Sequence, residues 1–341
     1  MNQNLNSYSK YYRWSLKTAE AKLVYDTILS GFDARQRKIA IDKRVLDKSK
    51  YSLSDLINFV GLDNPRLFFV DFQTISGLLF PNHTEIAFDF LYPDEKIELT
   101  LKKMNDRIDQ IVRKVLESNL VPYYKEIMLH DYLINNVRYE HENSSYHKAH
   151  SAVGAILHGR AVCEGYAKAF KLLCDACKIP SIVVIGTAKP RDVEEGHAWN
   201  IVKLEEKCYH VDVTWDNGAM FNGKPSYSCF NLTDADISSD HDWNKQILPK
   251  CTSLEDNYYV RSGAYFTSKK ALKQYLNTGL NKGMRNFSIK INHHFEDRAK
   301  MDKIIAEVIN AFTLAKLVRC TYTWQFDQKR STMNLLVEVM K

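Results

Sequence analysis

Between residues 163 and 215 the period of the hydrophobic pattern changes, and that change limits the folds open to the chain. After Cys163, apolar side chains recur at Tyr166, Ala169, Phe170, Leu173, Ala176 and Cys177, while Glu164, Lys168, Lys171, Asp175 and Lys178 take other faces. This is the pattern of a half-buried helix that starts at or beside Cys163 and stops at Ile179-Pro180, because the residue before a proline is steered out of the helical region. SIVVIG (181–186) then reads as a strand. HAWNIVKLEEKCYHVDVTW (197–215) reads as two alternating runs about a Glu205-Glu206 turn, the signature of a β-hairpin. A helix followed by antiparallel strands implies an α+β core.

The hairpin makes a specific geometric statement. If Leu204 pairs with Lys207, His197 faces Thr214 and Asp212 faces Trp199. His197 and Asp212 are then diagonal neighbours on one face, about 7–8 Å apart at the backbone, so the carboxylate can reach the imidazole. A four-residue loop keeps that parity and a three-residue loop destroys it. His210 is assigned to the opposite face and a structural role. Cys163, at a helix N-terminus, sits in a partial positive charge that promotes nucleophilicity. The three residues form a Cys/His/Asp constellation for attack on an amide carbonyl: Cys163 as nucleophile, His197 as proton donor to the leaving amine, and Asp212 as the group that holds the imidazole tautomer. The Cys163 amide offers one oxyanion donor, since the first amides of a helix lack intrahelical partners.

GRAVCEGYAKAF, GHAWNIVKL and YHVDVTWDN, in that order and spacing, resemble the core of the transglutaminase-like superfamily. MLHDYLINNVRYE, SAVGAILHG and FNLTDADISSDHDW extend the likeness to bacterial members over roughly residues 120 to 245. The resemblance implies a papain-like fold, with nucleophile Cys163, base His197 and third member Asp212. It makes Tyr166, Trp199 and Trp215 the motif aromatics, expected to bind substrate. It also implies a protein or peptide substrate, no cofactor and no metal, with hydrolysis or acyl transfer at amide bonds through a thioester. A cross-linking transglutaminase and a non-catalytic binding scaffold are the alternatives. Calcium dependence does not carry over, because no acidic calcium loop is present. A sugar amidase of this fold would need paired C-x-x-C zinc motifs, and an arylamine acetyltransferase an arginine-rich approach to the cysteine; neither is found. His241 and Trp243 stand where the family often has His-x-Trp.

At 341 residues the chain exceeds an ordinary domain. Three parts are expected: an N-terminal α/β part (1–118), the catalytic core (119–255) and a small C-terminal α+β part (256–341). In the first, residues 10–32 and 52–62 read as helices, RLFFVDF (66–72) and TEIAFDFLY (84–92) as strands, and 93–120 as a long charged amphipathic helix. The net charge of +6 is thinly spread except at RQRKIAIDKRVLDKSK (35–50), which has no accompanying nucleic-acid motif and reads as a solvated face. An odd number of cysteines without a framework, no signal-like start and no uncharged spanning run point to a cytoplasmic chain with no membrane contact. Cys174 and Cys177 form a C-x-x-C near the end of a helix with no partner pair, which suits packing better than redox or zinc chemistry. His141, His147 and His150 match no zinc spacing and read as a solvated loop. Nothing in the sequence signals an oligomeric state.

Overall fold

The first apolar stretch does not form one helix. Thr18 accepts a hydrogen bond from the Ala21 amide at 3.0 Å and starts a new helix, so the run divides into α1 (Tyr11–Ser15) and α2 (Ala19–Asp33). The computed structural model describes residues 9–140, 147–190, 193–292 and 298–340. After β1 (Lys38–Asp42), the Asp42 carboxylate caps α3 (Lys43–Ser49), and Ser52 caps α4 (Leu53–Asp63). With β2 (Ser76–Leu79) and β3 (His83–Ala87), β1 forms a three-stranded antiparallel sheet in the order β1-β3-β2. RLFFVDF is not a strand: apart from an isolated bridge between Val70 and Phe90 it is irregular. Leu67, Phe68, Phe69 and Val70 are all buried, and a short apolar run buried on every side has no period that separates strand from loop. TEIAFDFLY supplies β3 only as far as Ala87. The charged segment forms α5 (Asp94–Glu117), which buries one stripe: Ile97, Met104, Ile108, Ile111, Val112 and Val115.

Pro122 opens α6 (Pro122–Asn136) in its first turn, where a missing amide hydrogen costs no helical bond. β4 (Arg138–Tyr139), α7 (Ala152–His158) and β5 (Arg160–Ala161) lead into α8 (Cys163–Ala176). Then come β6 (Ser181–Ala188), β7 (Glu195–Leu204), β8 (Lys207–Val211), α9 (Val213–Gly218), α10 (Asp234–Ile237) and β9 (His241–Trp243). These strands form an antiparallel sheet in the order β8-β7-β6-β9, and α8 packs against β6 and β7. Leu204 pairs with Lys207 and Asn200 with Val211, the expected register, with Glu205 in the left-handed region (φ 52°) at the turn.

The C-terminal part comprises α11 (Tyr258–Arg261), β10 (Tyr265–Phe266), α12 (Lys269–Asn281), β11 (Asn286–Ile291), α13 (Arg298–Lys316), β12 (Arg319–Asp327) and β13 (Thr332–Met340). Its sheet has the order β10-β11-β13-β12 and its own apolar core, built from residues such as Phe287, Ile305 and Leu335. In contrast, a single core runs without a break from Tyr11 to Cys251, so the N-terminal elements and the middle of the chain pack as one body. The whole is α+β. Among the described residues, no helix is long and apolar enough to cross a membrane.

Candidate active site

Cys163 is the first residue of α8 and is only partly buried. The segment before α7 clamps this helix start: the Val162 amide donates to the Ala149 carbonyl at 3.1 Å. A Cβ on Gly165 would lie 2.2 Å from that same carbonyl oxygen, so the close approach requires glycine. Leu62 of α4 packs in the small apolar cluster that Cys163 joins. Beside the helix start a cleft of about 500 Å³ runs between α4 and α8, lined among others by Phe59, Leu62, Phe72, Glu164 and Lys168.

His197 lies on β7 opposite Gly186 of β6. Its Nε2 is 2.7 Å from Oδ2 of Asp212, and its ring stacks on Trp199 (centroids 5.9 Å) and meets Trp215 at the same separation. Burial alone pushes the His197 pKa down. The charge and hydrogen bond of Asp212, with a smaller contribution from the neighbouring Cys163 thiol, override it and raise the value from 6.5 to about 10. Asp212 is fully buried, and burial would raise its pKa, but the His197 charge and the bonds from His197 and His241 hold it well below the usual carboxylate range.

Asp212 reaches His197 by a different route from the expected one. β8 ends at Val211, and Asp212 is the N-cap of α9: its Oδ1 accepts from the Thr214 and Trp215 amides at 2.9 and 3.1 Å. Free helix amides are a strong attractor for an aspartate, and the cap leaves Oδ2 turned back toward β7. His210 shares the face of Trp199 rather than taking the opposite one, since residues two apart in a strand lie on the same side. The Trp199 indole donates to His210 Nδ1 at 3.0 Å, and His210 Nε2 lies 2.9 Å from Asp234. Its structural role stands.

The three aromatics divide. Tyr166 has no exposed surface; its hydroxyl donates to the Val137 carbonyl at 2.6 Å and accepts from the Asn217 amide at 3.0 Å, tying α8 to the start of β4. It is a core strut and not a substrate contact. Trp199, 1% exposed, supports His197 from behind and does not face the cleft. Trp215 is half-buried and is the one of the three with surface to offer a substrate. Cys174 and Cys177 are buried, and burial raises both thiols, Cys177 to about 11. His150 lies 3.1 Å from Glu164; His141 and the side chain of His147 lie outside the described residues.

Sequence reasoning left the role of His241 open and did not single out Asp240 or Arg330. His241 Nε2 is 3.2 Å from Asp212 Oδ2, and its ring meets those of Trp215 (4.4 Å), Trp199 (5.0 Å) and His197 (5.3 Å). The HDW triplet was the only signal, and β9 is too short to show a period. Among the described residues, two groups, His197/Asp212/His241 and His210/Asp234/Cys251, are close enough to hold a cation. In both, the ring nitrogens and carboxylates already stand at hydrogen-bond distance, which accounts for their placement.

Residues 109–213 match the transglutaminase-like superfamily, a stretch that contains Cys163, His197 and Asp212. No curated protein matches the chain. Among solved structures, a candidate cysteine protease from Cytophaga hutchinsonii is 16% identical at a TM-score of 0.29, covering 41% of this chain and 61% of that one. A TGase is 14% identical at 0.31, covering 44% and 45%. Menin, described with its binding site for Mixed Lineage Leukemia protein, is 14% identical at 0.26, covering 62% and 46%. The chain thus spans less than two-thirds of each of these neighbours. With α8 and the hairpin of β7 and β8 inside the matched segment, residues 109–213 are the part of the chain that matches a transglutaminase-like domain.

Proposed function

We propose that this protein is a thiol enzyme acting on protein or peptide amide bonds. Cys163 attacks the carbonyl carbon, a C–S bond forms, and the C–N bond breaks as the amine leaves with a proton from His197. Water then attacks the thioester while His197 takes its proton. The C–S bond breaks, the acid departs, and the thiol is restored. Asp212 keeps the imidazole in the tautomer with Nε2 protonated, which leaves Nδ1 to exchange the proton. The Cys163 amide, at the start of α8, is offered as one oxyanion donor. The observation that carries this reading is the 2.7 Å bond from His197 to a fully buried Asp212, on a ring that also feels the Cys163 thiol.

Hydrolysis is favoured over amine transfer. A transferase must exclude water from the thioester, usually by an apolar tunnel, and with Trp199 buried only Trp215 remains of the motif aromatics to form a wall. None of the seven cysteines is in a disulfide, which fits a reducing compartment such as the cytoplasm. The test is incubation with a glutamine-containing peptide library and a tagged primary amine, with Cys163→Ala as control. Hydrolysed peptides that vanish in the variant are expected. Tagged products in excess would make the protein a cross-linking enzyme, and no turnover by either protein would make it a binding scaffold.

A further inference from the structure

The turn between β12 and β13 in the C-terminal part places Arg330 against the candidate active site, about 120 residues beyond the hairpin. Arg330 is 1% exposed. Its guanidinium donates to the Asp236 carbonyl at 3.0 Å, to the Ser239 hydroxyl at 2.7 Å and to Asp240 Oδ1 at 2.5 Å. Asp240 Oδ1 is in turn 2.6 Å from Nδ1 of His241, whose Nε2 reaches Asp212 Oδ2. Asp212 Oδ2 therefore lies between two imidazoles. A buried chain of polar side chains at hydrogen-bond distance runs from Arg330 through Asp240, His241 and Asp212 to His197, and Cys163 lies beyond.

A docking contact alone does not call for this arrangement. Burying a guanidinium costs several kcal/mol even after relaxation, and apolar side chains of similar volume hold surfaces together as well or better. Arg330 also lies over the Trp215 ring, 5.8 Å from its centroid, so it backs both partners of the His241 ring. Among the described residues, Cys163, Asp212 and His241 face His197; Asp212, Asp240, His210 and Arg330 face His241; Cys229, Asp240 and His210 face Arg330; Lys290 pairs with Asp236 at 3.1 Å.

The geometry points to Arg330 as a positioning residue: by clamping Asp240 it orients His241, which with Asp212 fixes the His197 ring toward Cys163, so that docking of the C-terminal part completes the active site. This rests on Cys163 being the nucleophile, and the test is chosen to need no substrate. The rate of Cys163 alkylation by iodoacetamide is measured against pH in folded wild type and in Asp240→Asn, Arg330→Gln and Arg330→Lys, with peptide turnover measured in parallel. Asp240→Asn keeps the Arg330 bonds to Asp236 and Ser239, and so preserves docking if Arg330→Gln fails to fold. Expected are a fall of about tenfold at pH 6 in Asp240→Asn and Arg330→Gln, a half-maximal pH for alkylation raised by at least half a unit, and recovery to within threefold in Arg330→Lys. The double variant should be no slower than either single one, and peptide kcat should fall with KM within twofold. Wild-type alkylation in Asp240→Asn overturns the proposal, as do additive effects in the double variant. A wild-type Cys163 no more reactive than the other cysteines would instead remove the nucleophile itself. Normal alkylation effects without any peptide turnover would leave the positioning role intact and sink only the enzymatic reading.

Discussion

Replacing Asp212 with asparagine tests the centre of the site, because the side chain keeps its shape and loses one charge. Its carbonyl oxygen can still accept from the Thr214 and Trp215 amides, so the α9 cap survives. The amide nitrogen then faces the Nε2 atoms of His197 and His241, where the His197 nitrogen in the native site directs its proton at a carboxylate. A donor opposite a donor forces His197 into the other tautomer, with its proton on the side of Cys163, where it can no longer receive one. A wrong tautomer of this kind costs about 10⁴ in kcat where a catalytic histidine has lost its aspartate. Removing one partner of a buried ion pair also costs about 3–5 kcal/mol of stability. The pH window follows from the two shifts. His197 is raised, so its contribution is complete below 6.5 and lost as pH rises through about 10. Asp212 is lowered, so its contribution is present above 3.8 and lost as pH falls through its folded value. The stability gap between wild type and Asp212→Asn, read by urea unfolding across pH 3–11, should therefore be widest between about pH 4 and 6.5 and close toward pH 10. Turnover within tenfold of wild type, or a gap that does not vary with pH, would refute the reasoning.

Three further outcomes are expected. Partial labelling with iodoacetamide and peptide mapping should find Cys163 modified first and Cys320, the other partly exposed thiol, second, with the five buried cysteines reacting only on unfolding; labelling of Cys208 as fast as Cys163 counts against it. Glu126 is fully buried, and burial raises its carboxyl from 4.5 to about 8 despite a bond from Asn231, so the folded protein loses stability as pH rises from 4.5 through 8. Glu126→Gln should flatten that fall in the urea midpoint, and an unchanged slope would mean the carboxyl is ionised when folded. A Cβ on Gly186 would lie 2.2 Å from the Asp242 carbonyl and 2.7 Å from the Trp199 ring. Gly186→Ala should therefore cost about 1–3 kcal/mol and slow Cys163 alkylation by tilting the tryptophan against His197; full reactivity would mean that Trp199 does not hold the ring.

The parts of the site that could be read in the sequence are those fixed by local pattern. Cys163 begins its helix because apolar spacing and a following proline bound it on both sides, and the hairpin register follows from a two-residue turn between alternating runs. The pairing of His197 with Asp212 was anticipated for a partly wrong reason, since a helix cap and not a strand position aims the carboxylate. Tyr166 and Trp199 read as site aromatics from the resemblance, and a motif position alone does not separate a buried strut from a substrate contact. His241 sits on a three-residue strand, and Arg330 in a turn of the C-terminal part. Their meeting depends on how two cores dock, which no periodicity encodes. The aromatic run at 66–72 failed likewise: burial on all sides erases the alternation that marks a strand.

The core shared from Tyr11 to Cys251 bears on any attempt to transplant this chemistry. α8 and β6 are braced from outside the segment that matches the superfamily: Lys171 on α8 donates to the Ser9 carbonyl as well as to that of Ser181, at 2.8 Å each, and the Tyr12 hydroxyl donates to the Val183 carbonyl on β6 at 2.8 Å. A graft of residues 109–213 alone would take the Ser9 carbonyl from the buried Lys171 ammonium and leave it Ser181 and Asp175. It would also bare the surfaces that α4 and most of α5 cover, at roughly 1.5–3 kcal/mol for each large apolar side chain returned to water. The smallest portable unit therefore begins near residue 9 and, because Arg330 bonds Asp240, runs past the turn between β12 and β13, so a library of chimaeras should place its junctions outside both.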